Sequence, residues 1–558
     1  MAATYWLSVA WFEWRVGSFI FLALAASLLT YCLGEPMLVL SESFVTARLL
    51  AIPLSIAGLV AATQGRIRLA VALQLIGMMF HPLVSIWGLL AVILLRLPDR
   101  LLLMLVVLWA GLMTLLYMNP MDIPIFREMD HEWQEVVKAT AAIVFHEHWS
   151  KLAINNALWW FSALLFGGLF GQAGLQRLYR VIALVAALAL LVSLITSYFL
   201  PNIFFVQAQL WRALWLAVLI GFVAALDISW VAVRAGIIGK GIAALLALTF
   251  LFRDSGGGLF LFMSYIVWSA ASDKISQFFA LRPLAATKII WILVAVAVMA
   301  GLPDILMDFW IIAGMERAAA LGLLENYWDM SVPISLHILV PFLVWSCLTM
   351  SSDVRFYKWV IVPCLALLLL VAGIHWDHRT LARQQLESRY RAGGNRDMFA
   401  GLVMPGQQVY WRGNTLRVWF ELGTASYVSS EQAIGIVFSR NRMTEVRQRL
   451  ERVIMLDSYP RDASAKTRHE LAARYMRKYW QSNADPMNLH KYRQNGSLSK
   501  KGLQALCRDP ELDFVVSRIA LPGWPVSRYS EVVGKQNVSY YLYDCNKLRE
   551  FAPEIDVL

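Results

Sequence analysis

From Val16 to Ile374 apolar runs of roughly 14–24 residues alternate with short charged links, whereas after His375 charged residues recur every few positions. The first pattern is that of successive membrane-crossing helices and the second that of a water-exposed domain. The chain therefore divides into a multi-pass transmembrane domain, residues 1–375, and a soluble C-terminal α/β domain, residues 376–558. The expected fold class is an α-helical polytopic membrane protein with about 11–13 hydrophobic segments, some of them short or re-entrant. The first run, Val16 to Leu33, ends without a small-x-small cleavage site and is read as a retained span.

Loop charge sets the expected direction of each crossing, because short Lys/Arg-rich loops stay in the cytoplasm. The link "GEPMLVLSESFVTAR" carries Glu35 and Glu42 against Arg48 and is placed outside, while "QGRIR" (Arg66, Arg68) is placed inside. The next run, Leu69 to Leu95, contains "GMMFHPLVSIWG" and ends in the equally basic "RLPDR". Both of its ends thus belong on the cytoplasmic side. Each arm of about 12–14 residues reaches only ~20 Å, short of a ~30 Å hydrocarbon core. His81-Pro82 is therefore expected at the tip of a hairpin that turns back, with proline breaking the helix and His81 serving a freed carbonyl or lining a site.

Later links follow the same parity. The loop "MNPMDIPIFREMDHEWQEVVKATAAIVFHEHWSK" is acidic and outside, "QRLYR" (Arg177, Arg180) is inside, "RDSGGG" is outside, and the count leaves the C-terminal domain outside the cytoplasm. In that domain "QQVYW", "LDFVVSR" and "VSYYLYDC" read as strands, and "NRMTEVRQRLERVIML" and "SAKTRHELAARYMRKYW" as amphipathic helices. "HRTLARQQLESRYR" continues the last span as a helical stalk.

Composition agrees with a bilayer, at 59% hydrophobic and 16% charged with a mean hydropathy of +0.57. Most of the net charge of +11 falls after residue 375, and its distribution matters more than its size; the expected partner is the lipid bilayer and not nucleic acid. Of five cysteines, Cys507 and Cys545 lie in the hydrophilic domain and are able to pair in an oxidising compartment.

Chemistry is sought among outward-facing acids and polar residues at span ends. Asp130 and Glu132 in "MDHEW" form a D-x-E pair able to hold a hard divalent cation, Mg²⁺ or Mn²⁺; a solvated acidic face balanced by Arg127 explains the same residues. "FHEHW" lacks the HExxH spacing, which favours packing of His146 and His148 over a zinc site. Arg212 either snorkels or binds phosphate as a fork, and the glycines beside Arg253 fit a tight turn. The 23 tryptophans fit interfacial belts first and sugar stacking second.

The layout of hydrophobic segments, acidic outer loops and an outer C-terminal domain resembles the GT-C class of membrane glycosyltransferases. "FHPLVSIWGLL", "WFELGTASYVSSEQAIGIVFSR" and "CRDPELDFVVSR" also resemble an uncharacterised group of bacterial multi-pass membrane proteins. The GT-C resemblance implies a bacterial plasma-membrane enzyme that moves a sugar from a polyprenyl phosphate to a saccharide or protein acceptor. It further implies Glu42, Asp130 and Glu132 as catalytic acids, the latter two as metal ligands, and Arg48, Arg212 or Arg253 as lipid-phosphate partners. A non-enzymatic flippase for a lipid-linked saccharide and a structural assembly subunit are the alternatives.

Overall fold

The computed structural model describes residues 2–12, 47–119, 121–140, 144–146, 149, 151–199, 201–299, 388–389, 391, 398–411, 415–429, 432, 434–454, 500–533 and 536–550. The expected spans Val16 to Leu33, Ile334 to Met350 and Trp359 to Ile374, the helix "SAKTRHELAARYMRKYW" and Glu42 lie outside the described residues. Two compact units emerge. The first takes Met1–Glu128 and Phe145–His378, the second Met129–Val144 and Arg379–Leu558.

Unit 1 is helical among the described residues. Its early helices are α1 (Ala2–Trp11), α2 (Ala47–Thr63), α3 (Ile67–Phe80), α4 (Pro82–Leu94) and α5 (Asp99–Met118). After α6 (His131–Thr140), which belongs to unit 2, come α7 (Lys151–Phe170), α8 (Ala173–Tyr198), α9 (Ile203–Ala208), α10 (Leu214–Arg234), α11 (Ile237–Leu251) and α12 (Gly258–Leu281). Among the described residues three segments are long and apolar enough to cross a membrane: Ala153–Phe170, Ala173–Tyr198 and Ile203–Arg234. Helix α12 and α13 (Pro283–Met299) make a fourth if the pair, bent by 114°, is one broken span. Along α5 the side chains of Met104, Val107, Leu108, Leu112, Leu115 and Met118 are all exposed. Such a surface suits lipid and would be costly in water.

The chain turns back at His81. That residue is extended (φ −150°, ψ 92°), as expected before a proline, and Pro82 opens α4 at a position whose N–H would have no helical partner. The arms lie side by side in register: Gly77 meets Ser85, and Gly88 meets Gln74, pairs four and seven residues either side of position 81. A β-carbon on either glycine would overlap its partner, so the close approach depends on both. The resulting seam is polar and bonds in part within the protein. Gln74 Nε2 donates to Ser55 O at 2.9 Å, and Ser55 Oγ donates to Ser85 Oγ at 3.1 Å. Ser55, Gln74 and Ser85 are fully buried, so these groups find partners within the protein.

One end of unit 1 gathers the basic links. Arg96 donates to Ala62 O at 3.0 Å and Arg177 donates to Leu97 O, which joins the links after α2, α4 and α7. Asp227 lies at this end too. Fully buried, it accepts from Gln172 N–H (2.9 Å), Gln172 Nε2 (2.7 Å) and Tyr179 Oη (3.0 Å), capping the start of α8. The opposite end is closed where Asn202 Nδ2 donates to Phe126 O at 2.5 Å and Ile203 N–H donates to Arg127 O at 3.0 Å.

Unit 2 is a mixed five-stranded sheet with helices. The strands are β1 (Gln408–Trp411), β2 (Ala425–Ser426), β3 (Phe514–Ser517), β4 (Ser527–Val533) and β5 (Gln536–Asp544), in the order β2-β1-β3-β5-β4. β1 runs parallel to β2 and β3, whereas β5 is antiparallel to β3 and β4. Val409, Trp411, Phe514, Val516, Tyr540 and Leu542 form the buried face, covered by Met398, Phe399, Val418 and Leu422. The helices are α14 (Thr415–Phe420), α15 (Arg440–Ile454), α16 (Lys500–Cys507) and α17 (Cys545–Glu550). A disulfide joins Cys507 to Cys545, and Arg549 donates to the carbonyls of Cys507 (2.8 Å) and Asp509 (2.6 Å), closing the end of α16.

Gly88→Val should destabilise unit 1 by about 1–3 kcal/mol through overpacking against Gln74, read as detergent-solubilised thermal unfolding. Gly111→Val, where open space faces the glycine, is the control. Equal stability of the two variants would contradict the folded-back register.

Candidate functional site

The loop acids singled out by sequence lie in unit 2, facing arginines of α15. This helix presents Met443, Val446, Leu450 and Val453 to the interior and carries Arg440, Arg442, Arg447, Arg449 and Arg452 around that stripe. Arg440 Nε donates to Asp130 Oδ2 at 2.6 Å, Arg440 also reaches Glu132 at 3.5 Å, and Arg447 pairs with Glu132. Asp130 Oδ1 meanwhile accepts the Trp133 N–H at 3.0 Å, capping α6, and Trp133 Nε1 donates to Ile436 O at 2.8 Å. The short acidic helix is thus held on the arginine helix at three points. Arg127, expected to balance this acidic face, instead pairs with Asp122 at 2.7 Å.

The other flank of α15 is held the same way. Arg452 pairs with Asp509, which also accepts from Tyr427 Oη at 2.6 Å; Arg449 bonds Tyr427 O at 2.7 Å and pairs with Glu511. Burial alone would raise the Asp130 and Asp509 carboxyls. Hydrogen bonds outweigh it, from Arg440 and the Trp133 N–H at Asp130 and from Tyr427 and the Glu511 N–H at Asp509, and both are held below the ordinary carboxylate range. A carboxylate so stabilised is a poor general base.

A third ionic group lies against the sheet. Arg417 reaches Glu531 with both terminal nitrogens (2.6 and 3.0 Å) and Glu421 with Nε (2.5 Å), its guanidinium 4.8 Å from the Trp411 ring centre. Arg389 adds bonds to Glu531 (2.8 Å) and Glu421 (3.3 Å). Sequence reasoning missed this quartet. Its one local signal is the i,i+4 spacing of Arg417 and Glu421.

In unit 1 the predicted residues are dispersed. Arg48 sits in the first turn of α2 and His81 at the hairpin tip. Arg253 is buried, donating to Phe250 O at 3.0 Å with its guanidinium 4.4 Å from that ring centre. The glycines after it serve packing: a β-carbon on Gly258 would strike Asn155 O of α7. Arg212 lies where the long apolar segment is interrupted between α9 and α10. Gln209 there adopts φ 47°, ψ 57°, a costly conformation for a non-glycine residue, and its Oε1 accepts from Arg212 Nε at 2.7 Å. Trp211, next in chain, is edge-on to Trp149 (6.1 Å), which packs on His146 (4.3 Å). Among the described residues no group of three or more His, Cys, Asp or Glu side chains is placed to hold a metal ion.

Two outcomes follow for unit 2. Asp130, Asp509 and Glu531 all have folded-state values below their unfolded ones, so the stability they contribute is complete above the ordinary carboxylate value near ~4. It is lost as pH falls through the lowered values. Urea unfolding followed between about pH 6 and 3 should show this decline, with a shallower slope in Asp509→Asn. In a double-mutant cycle, Asp130→Asn and Arg440→Gln should couple by about 0.2–1 kcal/mol, the range for half-exposed pairs. Strict additivity would dissolve the pair.

No family model, no curated protein and no solved structure matches this chain.

Proposed function

We propose that the protein works at the outer face of a bacterial plasma membrane, moving a sugar from a polyprenyl-phosphate carrier to a saccharide or protein acceptor. The observation that carries this reading is the interrupted outer end of Ile203–Arg234, where Gln209 orients Arg212 beside Trp211, Trp149 and His146. A guanidinium among aromatic rings at the end of an apolar helix suits a lipid phosphate bearing a sugar. The acids Asp130 and Glu132 act as frame residues of the outer domain. Their ion pairs leave them poorly placed for base or metal chemistry. The Cys507–Cys545 disulfide and the loop acids folding with the C-terminal domain favour one oxidising compartment for both.

The second reading is an assembly subunit whose outer domain binds a partner. The arginine-held contact of α6 with α15 favours it, since that contact builds a domain and frees no catalytic group.

Right-side-out vesicles supplied with radiolabelled polyprenyl-phosphate hexose test the choice. Transfer should fall at least about tenfold in Arg212→Gln with folding retained, as a charged hydrogen bond to phosphate is removed. Asp130→Asn and Glu132→Gln should keep transfer per folded molecule. Loss of transfer in the acid variants with an intact domain would restore them as catalytic groups, and absence of transfer in the unaltered protein would favour the assembly subunit.

A further inference from the structure

Two buried residues of unit 1, His146 and Trp211, have unmatched hydrogen-bonding capacity. His146 is 4% exposed, in the turn before α7, and its Nδ1 lies 2.9 Å from Ser197 Oγ in the last turn of α8. Ser197 has one proton, and its hydroxyl donates to Leu194 O at 3.2 Å. With that bond made its oxygen accepts, and the shared proton is assigned to His146 Nδ1. The imidazole is then fixed as the Nδ1–H tautomer, with a lone pair on Nε2. That nitrogen is buried and accepts from no protein group.

Trp211 is 1% exposed and presents the opposite deficiency, since its Nε1–H donates to nothing. The Trp149 indole connects the two, 4.3 Å from the imidazole centre and 6.1 Å from that of Trp211. Buried polar atoms without partners are costly and uncommon, and together these two supply one acceptor and one donor. A hydroxyl group is the chemistry that answers both, because it donates one bond and accepts another. An ionised phosphodiester cannot donate to Nε2, and a cation cannot accept from an indole. Burial also pushes the His146 imidazole down to about 4, so it stays neutral and keeps its lone pair at physiological pH. The strained backbone of Gln209 two residues before Trp211 is a further mark of a site.

We propose that His146, Ser197, Trp149 and Trp211 form a hydroxyl-binding site for a saccharide, in which His146 Nε2 accepts from a sugar hydroxyl and Trp211 Nε1–H donates to one. This rests on the lipid-linked sugar reading for the identity of the natural ligand, though not for the site's chemistry.

The test uses the full chain, labelled with ¹⁵N-histidine, in lauryldimethylamine oxide, a detergent without hydroxyls. The His146 signals are assigned by their loss in His146→Gln. Without ligand, Nε2 should resonate as an unprotonated ring nitrogen; a protonated Nε2 would overturn the tautomer and the site. Octyl β-D-glucoside should then shift Nε2, and Trp211→Phe, which keeps the ring and removes the N–H, should weaken that response roughly five- to tenfold, the loss of one hydrogen bond. An unmoved Nε2, or an unaltered response in Trp211→Phe, would leave ordered water as the only occupant and overturn the proposal. Polyprenyl-phosphate glucose is the second probe. A response to the glucoside without one to this lipid would keep the hydroxyl site and reject the carrier reading.

Discussion

The carboxylate–guanidinium contacts on both flanks of α15 are the constraint on which the second unit depends. Five arginines on a helix of 15 residues repel one another, and Glu445 and Glu451 on the same helix offset only part of that charge. Asp130 and Glu132 neutralise one side, Asp509 and Glu511 the other. The first pair comes from a segment, Met129–Val144, bounded in sequence by unit 1 on both sides. The domain is therefore not a tail appended to a membrane part but a structure that borrows a loop from it. Asp509 carries the coupling onward, because its neighbours Cys507 and Leu512 are tied to α17 by the disulfide and by Arg549.

Unit 1 meets the opposite demand. Its buried polar groups need internal partners, and Gln74 Nε2, Ser55, Ser85 and Asp227 find theirs across helices brought close by glycines. Gly58, Gly77 and Gly88 bring α2, α3 and α4 close enough for those bonds to form. Open buried valences are expensive, and those of His146 and Trp211 belong to side chains that pack on one indole, Trp149.

Much of this was legible in sequence where the signal is local. The basic links around residues 69–95 and the His81-Pro82 pair led to a hairpin, and the chain does fold back there. "QQVYW" and "LDFVVSR" contain β1 and β3, "VSYYLYDC" contains β5 except its first two residues, and "NRMTEVRQRLERVIML" contains nearly all of α15. β4 was missed because Ser527, Arg528, Ser530 and Glu531 interrupt the β-branched pattern, and β2 is only two residues long. The partners of Asp130 and Glu132 were beyond reach: Arg440 lies 310 positions away, so proximity in sequence suggested Arg127 instead. Composition marks an acidic pair as chemistry-bearing, but only the fold reveals which charge answers it.

The central claim is that the loop carrying Asp130 and Glu132 is part of the C-terminal domain. It is tested most directly by placing cysteines at Glu132 and Arg447 in a chain with a protease site between them, oxidising in intact membranes and cleaving. The native disulfide lies wholly beyond the cleavage point and cannot join the fragments. The fragments should migrate together without reductant and separate with it. Fragments that separate before reduction would contradict the shared domain.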